Sequence, residues 1–144
     1  MEKKNLLISA CLLGLPCRYD GKSVKKVSLD SLKKKYNLIP FCPEIYGGLT
    51  TPRNPSEQRG GEVYMNDGRD VTENYKRGAE SAYMLCRELD CDMALLKERS
   101  PSCGKGRVYD GSFSGRLKDG DGVCAKYLSE RGILVFGESE IDKL

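Results

Sequence analysis

Asn5-Leu6-Leu7-Ile8-Ser9-Ala10-Cys11 is the stretch on which the fold turns. Consecutive branched apolar residues with no polar alternation suit a strand buried on both faces, as in a parallel sheet whose crossover helices cover it above and below. The run ends directly at a cysteine. The residues that follow, Leu12 to Ser23, are broken by Gly14, Pro16 and Gly21 and are expected to form a loop.

The same pattern recurs along the chain. Leu29, Leu32 and Tyr36 fall at helical spacing among lysines, which predicts a short surface helix. Asn37-Leu-Ile-Pro-Phe reads as a second strand, again ending at a cysteine, Cys42, followed by Pro43 and Glu44. Residues 46–61, rich in glycine and proline, read as a long irregular functional loop. Glu62-Val-Tyr-Met, the turn Asn66-Asp67-Gly68 and Arg69-Asp-Val-Thr predict a small hairpin.

The strongest periodic element is 71–89, with Tyr75, Ala79, Ala82, Tyr83, Cys86 and Leu89 on one face. Asp70 and Glu73 stand at capping-box spacing before it. Met93-Ala-Leu-Leu-Lys is a third strand, and beyond it Cys103 lies in the loop Ser100-Pro-Ser-Cys-Gly. Asp121 is expected to open a helix with Val123, Cys124, Tyr127 and Leu128 inward, and Ile133-Leu-Val-Phe makes a fourth strand. Strands alternating with helices predict one α/β domain over 1–144: a mostly parallel sheet of four to five strands with helices on both faces, Rossmann-like, plus a small β-hairpin insertion.

Composition narrows the function classes. The chain has 144 residues, 39% hydrophobic and 31% charged, the profile of a globular domain. No apolar run approaches the ~20 residues of a bilayer span, and the N-terminus lacks a signal-peptide pattern, so a cytoplasmic protein is expected. There is no histidine. That excludes Ser-His-Asp and Cys-His hydrolases and mixed Cys/His zinc sites, and leaves acid–base work to Glu, Asp, Lys, Tyr or Cys. Seven cysteines is an odd number and too few for a secreted disulfide scaffold. The net charge of +3 does not argue for nucleic acid.

Two familiar anion loops fail on spacing. Six residues separate Cys11 from Arg18 where the C-x5-R phosphate loop needs five. Six also separate Gly14 from Gly21-Lys22-Ser23, where a P-loop needs four. Each works by aiming successive backbone amides at one anion, and extra residues break that aim.

Ligands of parallel sheets sit at the carboxyl ends of the strands. Cys11, Cys42 and Cys103 lie at or just beyond the ends of three different strands, so three thiols can converge on one crevice. Any one of them alone reads as a small buried apolar residue. As a set in Gly/Pro-rich loops they read as ligands, because three thiolates in an empty site would repel one another. Without histidine the donor set suits an iron–sulfur cluster with one open iron, or zinc with an exogenous fourth ligand. Cys86 and Cys124 read as core, Cys91 carries no partner signal, and Cys17 is left outside the ligand set.

Glu44, two residues past Cys42, is carried to the same crevice and is the best proton donor or acceptor there. Ser100 and Ser102 are turn-capping or substrate-binding hydroxyls. Arg18, Arg53 and Lys97 read as surface charges, with Arg53 inside the glycine-rich loop.

Three motifs in order carry a resemblance over nearly the whole chain: Ile8-Ser-Ala-Cys-Leu-Leu-Gly with Arg18-Tyr-Asp-Gly; Cys42-Pro-Glu with Gly47-Gly-Leu and Pro52-Arg; and Leu96-Lys-Glu-Arg-Ser-Pro-Ser-Cys-Gly. On them the sequence resembles the 2-thiouracil desulfurase family, formerly domain of unknown function 523. The resemblance implies a [4Fe–4S] cluster held by Cys11, Cys42 and Cys103 with one open iron, and substrate-activating roles for Glu44 and Ser100, Ser102 ranking behind. It implies non-redox desulfuration of a small thiocarbonyl compound, such as a thio-nucleobase, to sulfide and the oxo base. The competing expectation is a non-catalytic module that binds or senses thiols, zinc or an iron–sulfur group.

Overall fold

The computed structural model describes residues 2–22 and 28–144; Ser23, at the end of the expected first loop, lies outside them. β1 (Lys4–Ser9) buries Leu6, Leu7 and Ile8 completely. α1 (Asp30–Lys35) leads into β2 (Tyr36–Phe41), which pairs in parallel with β1 from Lys4↔Tyr36 to Ser9↔Phe41. One turn of helix, α2 (Pro43–Tyr46), follows. A hairpin of β3 (Ser56–Arg59) and β4 (Glu62–Met65) precedes the long helix α3 (Thr72–Glu88). Then come β5 (Met93–Leu96), a second hairpin of β6 (Arg107–Tyr109) and β7 (Leu117–Asp119), α4 (Val123–Glu130), β8 (Leu134–Gly137) and a 3-10 turn over Glu138–Lys143.

The main sheet has four strands, all parallel, in the order β2-β1-β5-β8. This is the lower end of the expected four to five, with helices on both faces as expected. Period-two alternation assigns the faces: Leu7, Ala94 and Leu96 pack with Ala79, Ala82 and Cys86 of α3 and Cys124, Ala125 and Leu128 of α4. Leu6, Ile8 and Leu95 point the other way, onto Leu29 and Leu32, with Ile141 and Leu144 of the C-terminal turn beside them. Cys86 and Cys124 are therefore core residues, 2% and 0% exposed.

The hairpin is larger than the sequence predicts. Glu62–Met65 pairs upstream with Ser56–Arg59, inside the stretch expected to be irregular, and also with the expected segment beyond the 66–68 turn, where Met65 N donates to Arg69 O and Val71 N to Val63 O, each at 2.9 Å, around a Tyr64↔Asp70 bridge. Gly60 and Gly61 supply the reason: both have positive φ, 60° and 83°, which a two-residue turn matched to strand twist requires. A second hairpin, β6–β7, was not anticipated.

Two helix starts also differ. Asp70 and Glu73 form no capping box; buried Val71 occupies the N-cap, Asp70 Oδ1 accepts the Thr72 amide at 2.9 Å, and Glu73 turns to Lys76. Burying Val71 under the first hairpin with Val63, Met65 and Tyr75 sets that boundary. Asp121 does not open α4 either, because its carboxylate accepts the Gly106 amide at 2.7 Å and the helix begins at Val123.

Candidate active site

From β1 the chain crosses to β2 on one side and later returns to β5 on the other, so the β1–β5 edge is the topological switch point where an open α/β sheet forms its crevice. Three strands deliver a cysteine there. β1 runs into a 3-10 turn, Ala10–Leu13, that carries Cys11; β2 runs into Cys42; the loop after β5 carries Cys103. A cavity of about 540 Å³ opens at this place, lined by these three thiols together with Cys17, Glu44, Ser100 and Ser102.

Backbone approach fixes the Cys42–Glu44 segment. A Cβ added to Gly78 of α3 would lie 2.0 Å from the Pro43 carbonyl oxygen, and one on Gly47 would lie 2.1 Å from the Asn74 carbonyl oxygen. Only glycine permits such contact, so α2 is seated directly on the α3 backbone. Asn74 Nδ2 donates to Gly47 O at 2.9 Å and adds a tie.

Helix ends fix the cysteine loop that follows β5. The first amides of α4 need acceptors. Val123 N donates to Pro101 O at 2.9 Å and Cys124 N to Ser102 O at 2.8 Å, so the Ser-Pro-Ser loop caps the helix with its carbonyls. Gln58 of β3 also donates to Pro101 O, at 3.1 Å, joining the hairpin to the same loop.

Glu44 is satisfied on both oxygens. Its Oε1 accepts the Tyr75 hydroxyl at 2.9 Å and Arg53 Nε at 3.2 Å; its Oε2 accepts the Ser102 hydroxyl at 2.9 Å. Arg53, read as a surface charge, has a side chain only 4% exposed and also donates to Cys17 O at 3.1 Å. Placing its guanidinium against a partly buried carboxylate is what draws it inward. Tyr75 was legible only as core. A buried tyrosine still needs a partner for its hydroxyl, which was the available clue to Glu44.

Ser100 does not touch Glu44 directly. Its Oγ lies 2.9 Å from Ser102 Oγ and accepts the Ser102 and Cys103 amides, each at 3.1 Å. Since a carboxylate paired with arginine only accepts, the hydroxyl protons run from Ser100 to Ser102 to Glu44.

The thiols are all unpaired as disulfides. Burial pushes the Cys103 thiol up to about 12, partly offset by the Ser9 and Ser102 hydroxyls. The Cys42 thiol is also raised, first by its contact with the Cys17 thiol and then by burial. Cys17 is raised chiefly by the Cys11 thiol. Sequence reasoning set Cys17 aside, yet the loop folds its thiol between those of Cys11 and Cys42. Lys97 on the rim pairs with Glu138 at 3.2 Å, and the Arg18 guanidinium stands 5.8 Å from the Tyr19 ring centre.

Metal binding here requires thiol protons to be released. Among the described residues no three Cys, Asp or Glu side chains gather to hold a single ion. Three cysteines spread around one cavity fit a polynuclear iron–sulfur group, in which each thiolate takes its own iron, better than one zinc.

The chain belongs to the 2-thiouracil desulfurase family, an enzyme family whose model matches residues 6–140. The resemblance read from the three motifs thus holds. A solved structure of the [4Fe-4S]-dependent thiouracil desulfidase TudS superposes with a TM-score of 0.94 at 47% identity, over 99% of this chain and 95% of that one. The uncharacterized protein YbbK of Bacillus subtilis (strain 168) is 36% identical over 96% of this chain and 99% of its own length. No helix among the described residues is long and apolar enough to cross a membrane.

Proposed function

We propose that this chain is an iron–sulfur-dependent, non-redox desulfurase of small thiocarbonyl compounds, with a thio-nucleobase such as 2-thiouracil as substrate. The observation that carries the reading is the meeting of Cys11, Cys42 and Cys103 in one cavity with the Ser100–Ser102–Glu44 chain of hydroxyls and carboxylate. Likeness to a [4Fe-4S]-dependent thiouracil desulfidase supports it.

Cys11, Cys42 and Cys103 would hold a [4Fe–4S] cluster. When bound, that group supplies one iron without a protein ligand, a soft Lewis acid suited to thione sulfur.

The chain's own residues do the proton work. In the overall reaction a carbon–sulfur double bond is replaced by a carbon–oxygen double bond. Water provides the oxygen, its two protons leave with the sulfur as hydrogen sulfide, and no electrons are gained or lost. Ser100, held by two backbone amides, fixes Ser102 through its own hydroxyl, and the lone pair left on Ser102 Oγ accepts a proton of the attacking water. Glu44 receives a proton through Ser102, and Arg53 and Tyr75 keep the carboxylate in place. Such a relay fills the acid–base role in a site without histidine.

The test is anaerobic reconstitution of the wild type beside Cys42→Ala, with iron, labile sulfide and thiouracil turnover measured. About four irons and four sulfides per chain, lost in the variant, with sulfide released over many turnovers, are the expected result. A wild type that takes up iron but releases no more than one equivalent of sulfide would make the chain a binding module.

A further inference from the structure

The β6–β7 hairpin tip, residues 110–116, sits beside the cavity and is held by an unusual fastening. Glu57 of β3 is 9% exposed, and its Oε1 accepts the amides of Gly111 at 2.9 Å and Phe113 at 3.1 Å. Among the described residues no lysine or arginine pairs with this carboxylate. Arg59, from the same strand, donates to Gly111 O at 2.8 Å, and a Cβ at Gly111 would meet Gln58 O at 2.6 Å. The tip is therefore docked on the β3 backbone from both sides.

Phe113, at the centre of that tip, has φ = 56°. A bulky side chain in the left-handed region is strained, and such strain persists only where the surroundings impose it. Core packing does not repay it: Phe113 belongs to none of the three buried clusters. The residue instead lines the cavity that holds Cys42, Glu44 and Cys103, as Tyr19, Phe41 and Tyr109 also do. Of these aromatic residues, Phe113 is the one held on the cavity wall by a costly backbone and a buried carboxylate with no cationic partner.

We infer that Phe113 is the stacking residue for the flat ring of the substrate, and that Glu57 is its positioning residue, holding the hairpin tip so that the ring faces the cavity. This rests on the desulfurase reading and deepens it: the preferred substrates are planar heterocyclic thiocarbonyls over small acyclic thioamides. An aromatic face binds any base-like ring through its π surface, which makes the preference one of shape and flatness.

The experiment uses the cluster-loaded protein and compares wild type with Phe113→Gly, Phe113→Tyr, Glu57→Ala and Glu57→Gln. Glycine is at home at positive φ, so Phe113→Gly removes the ring while relieving the strain and folds as well as the wild type. Its KM for 2-thiouracil, and the Kd for uracil by calorimetry, should rise about five- to a hundredfold. The iron content should not change. Phe113→Tyr should retain wild-type values. Glu57→Ala should copy the loss and speed amide exchange at Gly111 and Phe113, and Glu57→Gln, which keeps an acceptor, should restore both.

A melting temperature well below wild type in Phe113→Gly with unchanged KM and Kd would overturn the inference and leave the desulfurase reading standing. If the loaded wild type neither binds uracil nor turns over thiouracil, the desulfurase reading and this inference fail together.

Discussion

Ser102 Oγ donates to Glu44 Oε2 at 2.9 Å, so the residue before Cys103 and the residue two past Cys42 are joined across the cavity by a direct hydrogen bond. The bond links the ends of two strands that are not neighbours in the sheet, β2 and β5. It makes Ser102 the connector between Ser100 and the carboxylate.

Ser102→Ala should lower kcat by about a hundredfold or more, the usual scale for losing a general acid–base route. Iron content should be retained, since the three proposed ligand thiols all remain. The Ser100→Ala, Ser102→Ala double variant should be little worse than either single one, because groups in one chain are not additive. Independent losses that multiply would dissolve the relay.

Cys17 contacts two of the three proposed ligand thiols without belonging to the set. Cys17→Ala should therefore reconstitute with full iron and labile sulfide, whereas Cys103→Ala should not. Colorimetric iron assay of both proteins, prepared side by side, separates ligand from neighbour.

Gly78→Ala should destabilise the protein by about 1–3 kcal/mol or more, as overpacking a close contact does. Its methyl group would start 2.0 Å from the Pro43 carbonyl oxygen, a backbone atom with nowhere to go. A urea midpoint equal to wild type would show that α2 is not clamped to α3.

Arg53→Met removes one partner of an ion pair whose side chains are 4% and 14% exposed. An uncompensated buried carboxylate costs about 3–5 kcal/mol, and adding Glu44→Gln should recover part of it. Chemical denaturation of the single and double variants measures both.

Glu140 is held at about 2, below the ordinary carboxylate value of 4.5, first by the Gly137 amide and then by Lys105 and Lys143. A depressed carboxyl stabilises the fold above its unfolded pKa, and that contribution fades as pH falls from about 4.5 towards 2. The lysine pairs are partly solvated, so Glu140→Gln should cost about 1 kcal/mol at pH 7 and should flatten the acid limb of the stability curve. An acid limb identical to wild type would assign the pH dependence to other groups.

Much of the fold was legible because parallel strands in a covered sheet must be apolar on both faces. Leu6-Leu7-Ile8 and Ala94-Leu95-Leu96 announced their burial without any partner in view. The periodicity of 71–89 likewise defined α3 to within one residue at each end. β3 is the strand the sequence conceals, because Gly60-Gly61 reads as part of a loop and not as a turn whose two positive φ values set a register. β6–β7 is built from strands of three residues, too short for alternation to register.

The sequence by itself determined the parallel sheet, the three cysteines at strand ends and the absence of histidine, since these depend on local composition and on where strands stop. Tertiary structure alone decided which polar groups meet. For Arg53, Tyr75, Glu57 and Phe113 the linear sequence does not show the polar partner, because it lies from 9 to 56 residues away. Hydrogen bonds and ion pairs act over about 3 Å in space whatever the separation along the chain, so only the packed chain reveals them.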